Sequence, residues 1–250
     1  MQLSVNNATK KYGKKTVLDQ VSIDFNQGNC YCILGVNGAG KSTLFNLLMQ
    51  FIMADAGTIT YDGHHFPVLP SAYKKRMGYL SEPLHLLEEL SAEQYLQFIG
   101  KLYEVVPKIL EERKEKIMHF LFEDYQEVLR KRMATLSSGM KKKVAFAGAI
   151  LHSPEFLLLD EPFSTLDPIS GKKLCNFLSS YLNEQRTIVF SSHNLEYLEA
   201  LNPVIIILDE SGIQYNASLA DFTKNHSQSI SQSLMEKLKI NDSSTVMQWD

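Results

Sequence analysis

This chain has no excess of basic residues: 25 Lys and Arg stand against 28 Asp and Glu, a formal charge of −3. A broad nucleic-acid footprint needs a basic surface, so the balance argues against one and no nucleic-acid partner is expected. Cysteine is scarce. The three, Cys30, Cys32 and Cys175, form no Cys-x-x-Cys pair and no metal spacing, so neither a disulfide framework nor a zinc site is expected. Cys30 and Cys32 alternate along an apolar run and read as small core residues. Long hydrophobic stretches are missing too: Phe156 to Leu159 and Val204 to Leu208 are of strand length, far below the roughly 20 residues of a bilayer span. The chain is therefore expected not to cross a membrane itself, and without a signal-peptide-like start its expected compartment is the cytoplasm. No internal repeat points to tandem domains.

What is present is a globular composition, 44% hydrophobic and 21% charged over 250 residues, enough for one large α/β domain or two small lobes. The first 30 residues alternate apolar and polar positions (Leu3, Val5; Val21, Ile23, Phe25) around a Tyr12-Gly13-Lys14-Lys15 turn, which predicts antiparallel β structure. Gly57 to Gly63 reads as a further short strand, and Met77 to Leu80 as another apolar segment. From Leu84 to about Met133 helical spacing takes over (Tyr95, Phe98, Ile99, Leu102; Ile117, Phe120, Leu121), an inserted helical lobe. Its Glu111 to Lys116 run reads as a solvated helix face. Strand patterns at Phe156 to Leu159, Thr187 to Phe190 and Val204 to Leu208, separated by helical ones, predict a mainly parallel sheet. From about Ser227 the chain turns serine-rich, with Trp249 near its end, and reads as a loosely attached tail over 227–250.

The strongest local signal is Gly35 to Thr43, GVNGAGKST, between the apolar run Cys30 to Leu34 and the helical pattern Leu44, Leu47, Leu48, Phe51. Glycines let successive amides point into one concavity at a helix N-terminus, which makes a cradle for a polyphosphate. Lys41 would reach the β and γ phosphates and Ser42 would ligate a magnesium ion. A phosphate loop alone does not set the class. Downstream, Phe156 to Leu159 runs into Asp160 and Glu161, two carboxylates at a strand end, where ligands of an α/β sheet gather. Asp160 fits the metal side and Glu161 the general base that activates water. Leu136 to Met140, LSSGM, precedes a helical pattern from Lys141 to Leu151, so Ser137 and the next amides stand at a second helix N-terminus able to meet phosphate.

With GVNGAGKS, LSSGM, FLLLDEP, STLD and a later histidine in that order, the chain resembles an ABC transporter ATP-binding subunit over roughly Gln2 to Ile213. The resemblance implies a P-loop NTPase core as an ABC-type ATP-binding domain over 1–226, the helical lobe lying at about 84–150. It also implies ATP and Mg2+ as ligands. Two ATP molecules would be sandwiched in a dimer, the signature residues Ser137 and Gly139 of one subunit closing over the γ-phosphate held by the phosphate loop of the other, Gly35, Val36, Asn37, Gly38, Ala39, Gly40, Lys41, Ser42 and Thr43. Tyr12 matches the aromatic that stacks on adenine, with Val17 lining the same base. Asp167 matches the key carboxylate of the loop that couples the two sites, and His193 the switch histidine near the γ-phosphate. The other histidines (His64, His65, His85, His119, His152, His226) match no motif.

Two segments depart from the family pattern. Ser138 and Met140 stand where a glycine and a glutamine are usual, and Glu82 stands where a glutamine commonly senses magnesium and meets the membrane partner. A carboxylate can ligate magnesium as well, and glutamate there resembles a branch of the family with many export systems. The resemblance thus implies an energy-coupling ATPase at the inner face of the cell membrane, serving a separate transmembrane permease, with export favoured. A soluble switch of the same type, without a membrane partner, and a hydrolysis-impaired partner of another ATPase subunit are the alternatives.

Overall fold

The computed structural model describes residues 1–192, 197–209 and 212–224. Strands β1 (Leu3–Tyr12) and β2 (Lys15–Phe25) form an antiparallel hairpin, with Tyr12 opposite Lys15 and Leu3 opposite Phe25. It turns on Gly13 at φ 59°, where a glycine is unstrained. The alternation read from sequence is the inward face of this hairpin: Leu3, Val5, Val21, Ile23 and Phe25 are all buried. β3 (Cys30–Leu34) is buried at every position and leads through the glycine loop into α1 (Lys41–Leu48). Phe51, expected within that helical pattern, lies beyond it. Gln50 adopts φ 50°, a left-handed conformation that ends the helix, and Phe51 is exposed beside the Tyr79 ring.

β4 (Ala56–Tyr61) pairs antiparallel with β1, and the two-residue β5 (His64–His65) pairs with β4. A short α2 (Ser71–Lys74) precedes β6 (Met77–Leu80). Then come α3 (Ala92–Leu102), α4 (Pro107–Leu121), α5 (Tyr125–Arg130), a 3-10 turn at Met133–Thr135 and α6 (Ser138–Ile150). Ser91 and Gln94 start α3 with a reciprocal capping box. Gly100 lets α4 close on α3, since a Cβ there would lie 2.4 Å from Leu110 Cδ1. The expectation of a wholly solvated charge run in α4 is corrected at Lys114, which is 3% exposed. Its aliphatic stem is covered while its ammonium pairs with Glu93 at 2.9 Å and Glu111 at 2.6 Å.

The remainder alternates β7 (Phe156–Leu159), α7 (Pro168–Tyr181), β8 (Thr187–Ser192), α8 (Leu198–Leu201) and β9 (Val204–Asp209), ending with β10 (Gly212–Ser218) and α9 (Leu219–Lys224). Two sheets result. One is antiparallel, in the order β2-β1-β4-β5; the other runs β10-β9-β3-β8-β7-β6 and is parallel except at the β10 edge. This is the P-loop NTPase fold expected from the sequence, with its antiparallel portion and helical insertion.

The parallel strands are apolar on both faces, and their period of two assigns each residue to one of two cores. Cys30, Cys32, Leu157, Leu159, Ile205 and Ile207 face the core shared with the helices α3 to α7. Tyr31, Ile33, Phe156, Leu158, Ile206 and Leu208 face the core under the antiparallel sheet and α1. Each such aliphatic side chain contributes about 1.5–3 kcal/mol by its burial. All three cysteines are buried within this packing. Burial pushes the Cys30 thiol up to about 12 and raises that of Cys32 well above its ordinary range, so they pack as small apolar residues.

Candidate functional site

The carboxyl ends of β3 and β7 open into a cavity of about 270 Å³, lined by Val17, the loop from Val36 to Thr43, and the carboxylates Glu82, Asp160 and Glu161. The loop can take this path only with glycine at defined places. A Cβ on Gly35 would sit 2.5 Å from the Leu208 carbonyl oxygen, and Gly38 and Gly40 adopt φ 86° and 100°. Gly40 is the N-cap of α1, and no side chain caps that helix end. The first-turn N–H groups of α1 are thus left without helical acceptors at the cavity wall, where the helix dipole favours an anion. Lys41, 7% exposed, donates from Nζ to the Gly35 carbonyl at 2.7 Å and lies 3.9 Å from Glu161 Oε1. Its carbonyl bond is within the loop, so an entering phosphate can exchange for it.

Asp160 and Glu161 leave the end of β7 with their backbones fixed. The Asp160 N–H donates to the Leu80 carbonyl (2.8 Å), and the Glu161 N–H donates to Ser191 Oγ (2.8 Å). Ser191 in turn donates to Asp160 Oδ1 at 2.6 Å. Asp160 is 1% exposed, and among the described residues its Oδ2 has no hydrogen-bond partner. A buried, unsatisfied carboxylate oxygen is costly. With the Ser42 hydroxyl and the Glu82 carboxylate in the same lining, it fits a hard divalent cation, for which oxygen donors are the right chemistry. Among the described residues no three His, Cys, Asp or Glu side chains could hold a metal unaided. Glu161 adopts φ 47°, a left-handed conformation rare for a non-glycine residue and concentrated at functional sites.

The structure brings together Val17, the phosphate loop, Glu82, Asp160 and Glu161. It does not bring the signature residues to the same cavity. Ser137 is exposed as N-cap of α6, its Oγ accepting from the Met140 N–H, and Gly139 packs beneath the STLD loop, where a Cβ would lie 2.9 Å from the Thr165 carbonyl oxygen. Asp167 caps α7 by accepting from the Ser170 N–H at 2.9 Å, and hydrogen bonding from the Ser170 side chain, then from its N–H, holds the carboxyl below the usual range. Tyr12, 51% exposed at the hairpin end, is outside the cavity lining. His193 and the serine-rich tail over 227–250 lie outside the described residues. Two contributors carry no sequence prediction. Ser191 is found only through the β7–β8 register, which sets Leu159 opposite Phe190 and so places Ser191 beside Asp160. Lys142, inside a run of three lysines, is 2% exposed and donates to Glu82 Oε2 at 2.7 Å.

The ABC transporter family matches residues 18–164, more than half of the chain. The chain is 33% identical over 232 residues to the ABC transporter ATP-binding protein NatA of Bacillus subtilis, covering 92% of this chain and 93% of that protein. It is 31% identical to the Nod factor export ATP-binding protein I of Sinorhizobium fredii, covering 83% of this chain and 60% of the relative. Among solved structures, an ATP-binding subunit of an ABC transporter superposes with a TM-score of 0.86 at 25% identity, covering 95% of this chain and 99% of that one. Among the described residues no helix is long and apolar enough to cross a membrane. A phosphate loop facing a strand-end carboxylate pair, in this fold and with this match, settles the family: the chain belongs to the ABC transporters as one of their ATP-binding, ATP-hydrolysing subunits.

Proposed function

We propose that this chain drives a membrane transporter by closing and opening as one half of an ATP-sandwich dimer. The supporting observation is the convergence of Lys41, Ser42, Asp160 and Glu161 on one cavity from a loop, a helix start and a strand end. Loop amides and Lys41 hold the triphosphate. Ser42, Asp160 and Glu82 are the oxygen donors that would hold magnesium, and the ion would supply charge neutralisation to the triphosphate. Glu161 takes a proton from the attacking water as its oxygen bonds to the γ-phosphorus and the bond to the ADP oxygen breaks. Tyr12 stacks on the adenine, and His193 donates to the γ-phosphate region, both roles resting on the resemblance.

The second subunit rests on the resemblance. Ser137 is exposed at the head of α6, and neither it nor Gly139 lines the cavity of its own chain, which supports their meeting a phosphate held by another copy or by a related ATPase. Work is delivered to a separate transmembrane permease at the inner membrane face. Export is the favoured direction, supported by Glu82 and by the export assignment of the Sinorhizobium relative.

The test is magnesium-dependent phosphate release and size-exclusion behaviour of wild type and Glu161→Gln. General-base catalysis contributes typically 10²–10⁴-fold, so the variant is expected to bind ATP, lose turnover on that scale and elute as a stable dimer. A wild type that binds ATP yet releases no phosphate, alone or with a copurified membrane partner, refutes the reading. So does a Glu161→Gln variant with wild-type turnover.

A further inference from the structure

Lysine is among the residues least often fully buried, and when buried it is paired. Lys142 is buried on the second turn of α6, and an ammonium has three N–H donors and no acceptor. All three find partners: Glu82 Oε2 at 2.7 Å, the Glu161 carbonyl oxygen at 2.8 Å, and Ser164 Oγ. Ser164 also donates from its own Oγ to the Glu161 carbonyl at 3.0 Å. One cation therefore holds a cavity carboxylate, the backbone of the left-handed residue Glu161 and the first residue of the STLD loop. A neutral or shorter side chain cannot reproduce that set. A helix links this contact to the dimer-facing segment, because Ser137 caps the N-terminus of α6 and Lys142 lies five residues along it, about 7.5 Å of rise.

We infer that Lys142 is a positioning residue for hydrolysis, fixing Glu82 and the Glu161 backbone and tying both to the helix whose N-terminus faces the second subunit. This deepens the hydrolysis reading above and rests on it. Lys142 does not line the cavity, so it acts on turnover and not on nucleotide capture. It balances the charge that Glu82 adds beside the metal side of the site and fixes one oxygen of that carboxylate. The Glu161 carbonyl bond holds a residue in a sparsely populated backbone conformation, in which the direction of its side chain depends on the anchoring of its peptide.

The experiment uses the full chain in four forms: wild type, Lys142→Met, Glu82→Ala and the double variant. It measures magnesium-dependent kcat, the Kd of a fluorescent ATP analogue and amide hydrogen exchange without nucleotide. Lys142→Met is expected to lower kcat at least 10-fold with the nucleotide Kd within 2-fold of wild type. It should also speed exchange over 160–166 while leaving the β3 and β8 amides unchanged. Because Lys142 acts partly through Glu82, its effect on kcat should shrink at least 3-fold when Glu82 is already Ala. Lys142→Met with kcat within 3-fold of wild type overturns the inference while leaving hydrolysis intact, as does full additivity with Glu82→Ala. A rise in Kd as large as the fall in kcat also overturns it, since that marks general structural damage. A wild type without turnover removes the hydrolysis reading itself, and this inference with it.

Discussion

Asp160→Asn should make the ligand-free protein more stable and at the same time remove its response to magnesium. The Asp160 carboxylate is 1% exposed, with one oxygen held by Ser191 and the other buried without a partner among the described residues. Taking a charge this far out of water costs several kcal/mol, which Lys41 in the same cavity offsets in part. The asparagine keeps the volume and the acceptor for Ser191, and in place of the orphaned oxygen it leaves an unpaired amide N–H costing about 1–3 kcal/mol. The difference favours the variant by about 2 kcal/mol. At about 2–4 °C per kcal/mol for a chain of this size, Tm should rise by about 4–8 °C in calorimetry without nucleotide. Magnesium-ATP at a hundred times its Kd should add about 2.7 kcal/mol to the wild type. In the variant that increment should fall to the one produced by ATP with a chelator. A variant that melts below wild type without ligand refutes the account of the orphaned oxygen. Equal magnesium increments in both proteins refute the placing of the metal beside Asp160.

Gly35→Ala and Gly38→Ala separate two reasons for glycine in the loop. The first puts a Cβ against the Leu208 carbonyl and should weaken ATP binding at least 10-fold by displacing the loop; the second meets nothing within 4 Å, adds only left-handed strain of about 1–2 kcal/mol, and should bind better than the first in fluorescence titration. His152 stacks on Tyr103 at 3.7 Å and donates to the Met77 carbonyl, and burial lowers its pKa from 6.5 to about 4. An imidazole depressed on folding binds fewer protons than in the unfolded chain, so stability is complete above about 6.5 and falls as pH drops toward 4, by about 3 kcal/mol at most. His152→Phe should flatten that part of the urea-denaturation pH profile, and an unchanged slope counts against the assignment. Cys30, Cys32 and Cys175 should stay unreactive to a thiol reagent at pH 7 until denaturant is added; rapid labelling of the native protein contradicts their burial.

The sequence was most legible where one residue type has one physical use. An apolar run, a glycine-rich loop and Lys41-Ser42 can sit together only as strand, cradle and helix start, and the carboxylates after Leu159 are set by the strand end that carries them. Period-two runs gave the strands for the same reason. Charge was the poorer guide. Lys114 and Lys142 look solvated among like neighbours, but a long side chain can bury its stem and still reach a carboxylate on another helix or loop, which no local window records. Ser191 needed the pairing of β8 with β7, and the end of α1 needed the left-handed turn at Gln50. The antiparallel β10 edge had no local mark, because its pairing with β9 is a tertiary choice.

Helix α1 begins on Gly40 with no side chain closing its first turn. On the proposed function a bound phosphate would supply that closure, which would make the nucleotide the N-cap of a secondary-structure element as well as a ligand. Part of its binding energy would therefore be the energy of satisfying the open first turn of α1. The buried side chains Leu44, Phe45, Leu47 and Leu48 anchor the helix behind that turn, so the force of phosphate binding and release would pass directly into the core.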